Sequence, residues 1–267
     1  MNLSKYDLRI TRADHLAEQH PFAGEALAFF TQVTRLQAEL YSDIERARGE
    51  LVSDTLSALR RGELPDRAIQ RFPKFLSRLE ELSPEPLLRS AAHLNRQDPS
   101  YWRPLFISCW QSTRTNGDQS EMALGRMFLQ PFAEFLAEQV ETHSPAQVPA
   151  TCPFCFEKPL AGVLRPEGDG GKRSLLCSMC ATEWHCGRIL CPACGEQNVE
   201  KLAVYSTDQF PQVRIEACDS CRFYIKTIDL TKTGRAIPVV DELATIPLNL
   251  WASDHGYTKL QTNLLGL

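Results

Sequence analysis

Residues 177–194 read Cys177-Ser178-Met179-Cys180-Ala181-Thr182-Glu183-Trp184-His185-Cys186-Gly187-Arg188-Ile189-Leu190-Cys191-Pro192-Ala193-Cys194. Two Cys-x-x-Cys pairs stand at the ends of this stretch. Two more lie outside it, Cys152/Cys155 before and Cys218/Cys221 after. The first couple is separated by residues 156–176 and the second by residues 195–217. The first and third pairs are offset by 39 positions, the second and fourth by 41. The spacing is an internal duplication: an opening Cys-Pro-x-Cys, a strand-forming region, then a second pair among apolar residues.

Two residues between cysteines let a tight turn aim both sulfurs at one point, with backbone N–H groups facing the thiolates. Two such knuckles give four thiolates in a tetrahedron, which suits zinc or a mononuclear iron. The expected ligands are therefore Cys152, Cys155, Cys177, Cys180, Cys191, Cys194, Cys218 and Cys221. Duplication favours sequential pairing, first knuckle with second and third with fourth. A cross-brace, first with third and second with fourth, is the alternative. A thioredoxin-like redox pair would need a βαβ pattern, which is missing here.

The ninth local cysteine, Cys186, sits beside His185 in the link. One reading makes them an alternative ligand pair or a reactive thiol with a base. The plainer reading, which we favour, is a strand in which Trp184 covers a metal site and His185 is exposed. Residues 1–150 hold one further cysteine, Cys109, on an apolar helix between Ser108 and Trp110, where a core role is expected.

Working outward, residues 173–176, 199–205, 213–217 and 223–230 are short and rich in apolar or β-branched residues and read as strands. Gly168-Asp169-Gly170-Gly171 reads as a hairpin turn. A last helix is expected from Val239 to about His255. Upstream, residues 142–150 are Pro- and Ala-rich without periodicity and read as a linker.

Residues before 142 are helical in pattern. Ala26, Phe30, Val33, Leu36, Leu40, Ile44, Ala47 and Leu51 recur on one helix face. Gly62 and Pro65 bound the next loop. A helix capped by Asp66 runs through Ile69, Phe72, Phe75, Leu76 and Leu79, with Pro73 expected to kink or split it. Ser83-Pro84-Glu85 and Asp98-Pro99-Ser100 are helix starts. Asp118 precedes a helix through Met122, Phe128, Phe132 and Val140, with a kink expected at Pro131. The fold class is thus α+β: a helical domain (1–141), a linker (142–150), two four-cysteine ribbons (151–188 and 189–235) and a helical tail (236–267).

Composition narrows the function. The chain has 267 residues, 43% hydrophobic and 23% charged, which fits a globular protein and excludes disordered or collagen-like classes. Its net charge is −4, and neither half is basic, which speaks against a nucleic-acid partner. No apolar run suggests a secretory leader or a membrane span, so the expected compartment is the cytoplasm. There, paired cysteines bind metal more often than they form structural disulfides. No catalytic motif is present, and a closed four-thiolate site has no open position for substrate. Asp241-Glu242 resembles an acidic pair, although the first turn of a helix equally favours acids.

Residues 176–185, with Arg188 and Cys191-Pro192-Ala193-Cys194, resemble the bacterial formate dehydrogenase accessory protein family, FdhE. So do Cys152-Pro153-Phe154-Cys155 and Glu216-Ala217-Cys218-Asp219-Ser220-Cys221 with Tyr224-Ile225-Lys226. Asp241-Glu242-Leu243-Ala244-Thr245, Gly256-Tyr257 and Asn263 also fit. One departure is Phe156, where many such knuckles carry Gly after the second cysteine, and a bulky residue there strains the turn.

The resemblance implies a tandem rubredoxin-like domain whose eight knuckle cysteines hold two mononuclear metal ions, iron or zinc. It implies an accessory factor, not an enzyme, that docks on the catalytic subunit of formate dehydrogenase during maturation. The competing classes are a zinc-ribbon nucleic-acid-binding protein and a rubredoxin-like electron carrier.

Overall fold

Runs of buried residues along the two central strands, 159–164 and 224–229, anchor the sheet that carries the cysteines. In the computed structural model, residues 4–47, 66–80, 85–111, 118–139, 150–168 and 170–267 are described. Among the described residues of the first half, the helices α1 (Lys5–Gln19), α2 (Gly24–Arg46), α3 (Asp66–Ile69) and α4 (Phe72–Glu80) precede three more. These are α5 (Glu85–Asn95), α6 (Pro99–Gln111) and α7 (Gln119–Glu138). Then come β1 (Pro159–Glu167), β2 (Gly170–Cys177), β3 (Glu183–His185), β4 (Leu202–Ser206), β5 (Val213–Cys218) and β6 (Phe223–Asp229). Helices α8 (Pro238–Ala244) and α9 (Ile246–Asp254) and the short β7 (Thr258–Lys259) follow.

The two ribbons are not separate. Their strands form one sheet in the order β3-β2-β1-β6-β5-β4, with β7 also paired to β6. Within each ribbon the strands are antiparallel; the seam between them, β1 on β6, is parallel. At that seam Gly162 lies opposite Thr227. A Cβ at Gly162 would stand 2.2 Å from Thr227 Oγ1, so only glycine allows this approach. Leu160, Val163 and Leu176 of the first ribbon share a core with Phe210, Val213 and Ile228 of the second. Neither ribbon alone has enough apolar surface for a core of this size, and joining them supplies it.

The chain divides into two compact units: Met1–Ala28 with Thr142–Leu267, and Phe29–Glu141. Periodicity grouped the first 28 residues with the other helices, but α1 belongs with the sheet. It is tied there by Arg12, whose Nε and Nη2 donate to Asp241 on α8 at 3.0 and 2.5 Å. His20 and Phe22 pack edge-on or tilted against one another and Phe210. Such long-range pairings have no signature in a single helix's period.

In the second unit, Phe72, Phe106, Phe128 and Phe132 form a buried aromatic cluster. Cys109 is buried and its thiol reaches Met122 O at 3.5 Å, as expected of a core residue. The helix start predicted at Asp98 holds, and Asp118, expected only to precede a helix, caps one as well: their carboxylates accept from Ser100 N at 2.8 Å and Ser120 N at 2.9 Å. The helix expected from Asp66 is split into α3 and α4, and Pro73 is the second residue of α4, where its missing N–H costs little. The single helix expected from Val239 is likewise two, divided at Thr245 just before Ile246-Pro247. Leu51, Gly62 with Pro65, the start at Ser83-Pro84, Val140 and positions 142–149 of the linker lie outside the described residues. No described helix is long and apolar enough to cross a membrane.

Candidate metal centres

Two of the four Cys-x-x-Cys pairs begin at a strand end. Cys177 and Cys218 are the last residues of β2 and β5, so the sheet fixes one knuckle of each site. The turn that follows is the same four times. Phe156, Ala181, Gly195 and Arg222, each immediately after a second cysteine, all have positive φ, between 54° and 79°. That left-handed residue turns the chain back so that Phe156, Gly195 and Arg222 donate N–H to the carbonyls of Cys152, Cys191 and Cys218. Three of the four therefore hold a strained conformation without glycine. The strain expected at Phe156 is real, and it is shared by Ala181 and Arg222.

The sulfurs assemble sequentially. Cys152, Cys155, Cys177 and Cys180 form one group, and Cys191, Cys194, Cys218 and Cys221 the other, with all four Sγ atoms of each group within 4.8 Å. The cross-brace is not formed. In the first group the Sγ–Sγ distances are 3.3 Å (Cys155–Cys177) and 3.5 Å (Cys152–Cys180 and Cys155–Cys180). In the second, Cys191–Cys221 and Cys194–Cys218 are both 3.7 Å. Zinc–sulfur bonds of about 2.3 Å place tetrahedral sulfurs about 3.8 Å apart. Both groups match that size, the first slightly contracted.

Backbone amides face the sulfurs. Phe154 N points at Cys152 Sγ at 3.4 Å, Met179 N at Cys177 Sγ at 3.3 Å and Ala193 N at Cys191 Sγ at 3.4 Å. Hydrogen bonds from its three neighbours, Cys155 foremost, pull the Cys152 thiol down. The bond to Cys152 pushes Cys155 up. Burial pushes Cys177 and Cys191 up and, in the second group, takes Cys221 to about 12. Sulfurs this close can all be anionic only around a cation, and each group could hold one metal ion.

The two groups differ in their exposure. All four cysteines of the first are buried, whereas Cys194 is exposed and Cys221 half-buried in the second.

Cys186 joins neither group. It is buried, and Arg173 Nη1 donates to its sulfur at 2.7 Å and to Gly187 O at 2.8 Å. Burial raises the Cys186 thiol pKa against the pull of Arg173. Arg173 also pairs with Glu216 at 2.7 Å, and Glu216 with Arg214 at 2.6 Å. Burial alone would raise the Glu216 carboxyl, but the two guanidinium groups hold it below its usual range. Of the favoured reading of the link, the structure contains the strand, β3, with Trp184 buried and His185 exposed.

The Asp241-Glu242 pair is structural. Asp241 receives Arg12, and Glu242 receives Lys226 and Lys259, both at Oε1, at 2.8 and 2.5 Å. Sequence reasoning missed these partners because they lie 229, 16 and 17 positions away.

Fold and sites together define a class: an α+β protein whose single sheet joins two four-cysteine, zinc-ribbon-like clusters. The family models described as "FdhE, central domain" and "FdhE, C-terminal domain" match residues 151–188 and 189–265. The chain is 27% identical to a protein FdhE homolog of Aquifex aeolicus over 100% of its length and 98% of the relative's. It is 30% identical to a protein FdhE homolog of Shewanella baltica, covering 97% of this chain and 88% of that one. A crystal structure of the FdhE protein from Pseudomonas aeruginosa superposes with a TM-score of 0.78 at 24% identity, over 99% of this chain and 97% of that one. The chain belongs to the FdhE family.

Proposed function

We propose that this protein is a cytoplasmic accessory factor for formate dehydrogenase, not itself an enzyme, that docks on the catalytic subunit during its maturation. The observation that carries the reading is the pair of preassembled four-sulfur groups on one sheet. A closed set of four thiolates leaves no position for substrate, which suits a structural or sensing role better than metal-assisted catalysis.

In this reading Cys152, Cys155, Cys177 and Cys180 hold one ion, and Cys191, Cys194, Cys218 and Cys221 the other. Each ion is mononuclear, iron or zinc. A bound ion supplies positive charge and cross-links two knuckles; iron would add reversible one-electron chemistry. The protein supplies inward-facing amides, a burial gradient between the sites and a sheet that registers one site against the other. The linker 142–150, the ribbons 151–188 and 189–235 and the tail 236–267 remain our proposal for how the chain is parsed in function, with the expected helical domain 1–141 cut back by the passage of residues 1–28 to the sheet unit.

Affinity capture of the formate dehydrogenase catalytic subunit tests this. Capture should depend on the ribbon cysteines. Undiminished capture by a folded Cys177→Ser/Cys180→Ser variant would overturn the reading. One observation favours a second reading, an electron carrier: the exposed Cys194 at the second site. It requires a reversible visible absorption change on reduction, and a colourless zinc-only protein excludes it.

A further inference from the structure

The second ribbon has one covered and one open face. Ile215, Ala217 and Tyr224 pack in a core with Ala252 of α9. Tyr205 of β4 contacts Trp251 and Tyr257 at ring distances of 4.6 and 6.4 Å. Alternation therefore turns Leu202, Val204, Arg214, Glu216 and Cys218 to the other face. Residues 188–193 run beside that face and enclose with it a cavity of about 140 Å³.

The walls of this groove are unusually apolar for an open surface. Ile189, Val199 and Val204 all line it, and they are 54, 65 and 57% exposed. Such clustering marks interaction sites. Its charge is uneven. Exposed Arg188 and partly exposed Arg214 line it, while Arg173 beneath them is buried on Glu216, the one carboxylate of the lining, which it shares with Arg214. The end keeps an excess of positive charge in a chain whose net charge is −4. Arg214 stands four residues along β5 from Cys218, roughly 13 Å at strand spacing. The groove thus runs from the second sulfur cluster to a cationic end. Along it lies β4, which ends the sheet among the described residues and offers its outer edge for pairing.

We infer that this groove binds an extended segment of a partner polypeptide, added as a strand beside β4. The segment carries an apolar side chain for the cavity and carboxylates for the arginine end. The inference rests on the docking function proposed above and locates it. Because Cys191 and Cys218 form part of the wall, the groove keeps its shape only while the second site is assembled.

The test uses the full chain with its metals and two fluorescein-labelled eight-residue probes, one alternating Leu and Glu, the other Leu and Lys. Anisotropy should show the Leu–Glu probe binding at least tenfold more tightly than the Leu–Lys probe. Val204→Asp, at an exposed position, should weaken the Leu–Glu probe at least tenfold while metal content and circular dichroism stay unchanged. No binding, equal binding of both probes, or indifference to Val204→Asp overturns the inference. So does self-association abolished by Val204→Asp, which assigns the face to a second copy. Capture of the formate dehydrogenase catalytic subunit separates the two proposals. Capture by the parent but not by Val204→Asp supports the groove; equal capture by both overturns the groove and leaves docking standing. Capture by neither defeats docking, and the peptide result then decides the groove.

Discussion

Lys226 on β6 and Glu242 on α8 form an ion pair with no solvent exposure on either side chain, Nζ to Oε1 at 2.8 Å. Lys226 also donates to Glu242 O at 2.5 Å and Thr245 Oγ1 at 3.2 Å, and Asn263 donates to Glu242 Oε2 at 3.0 Å. The pair fastens α8 and the chain's end to the centre of the sheet. Removing one partner strands the other in a dry site, so Glu242→Gln should cost about 3–5 kcal/mol. Urea unfolding of the two proteins at neutral pH measures it.

The same pair gives a pH dependence. Burial would raise the Glu242 carboxyl, but Lys226 and Lys259 hold it down to about 2, below its ordinary 4.5. A depressed acid contributes stability above pH 4.5 that is lost as pH falls toward 2. Burial lowers Lys226 to about 8 from 10.5. The unfolded chain then binds more protons between those values, so this group's contribution to stability rises with pH there. Unfolding free energies across pH 2–5 should fall steeply in the parent and less steeply in Glu242→Gln.

The left-handed residues after each knuckle predict opposite outcomes for similar substitutions. Phe156 has φ 65° and is 62% exposed, so Phe156→Gly should relieve strain and stabilise by about 0.5–1 kcal/mol. Arg222, at φ 60°, reaches Gly256 O and His255 O and lies over the Tyr257 ring at 4.0 Å. Arg222→Gly should therefore destabilise despite the same relief. Thermal unfolding of both variants checks the signs.

The knuckles were the most legible part of the sequence, because Cys-x-x-Cys spacing is local and its chemistry demands four sulfurs together. Cys109, Trp184 and His185 also stand where their neighbours placed them. The seam was not legible. Pro159, Gly162 and Pro166 obscure β1 as a strand, and parallel pairing with β6 joins residues about 65 positions apart. The place of α1 depends on Arg12 meeting Asp241, a contact that no period along α1 could announce.

The seam makes its own prediction. Gly162→Ala should destabilise by about 1–3 kcal/mol, since the new methyl meets Thr227 Oγ1. Thr227 Oγ1 is buried without a hydrogen-bond partner, so Thr227→Ala alone should cost little. The double variant should recover part of the loss, which a double-mutant cycle in urea would show.

Unequal exposure predicts unequal metal retention. A competing chelator should withdraw metal in two phases, the faster from the site containing exposed Cys194 and half-buried Cys221. Cys194→Ser should abolish the fast phase and leave the slow one. Release in a single phase would show that exposure does not govern retention.

The central claim is that the eight knuckle cysteines form two separate metal sites. Metal per chain, measured by elemental analysis of protein purified without oxygen, tests it most directly. The account predicts two ions per chain. It predicts one ion in Cys177→Ser/Cys180→Ser, one in Cys218→Ser/Cys221→Ser, and none when both are combined. A parent chain carrying no metal, or one whose metal content is unchanged by these substitutions, would contradict it.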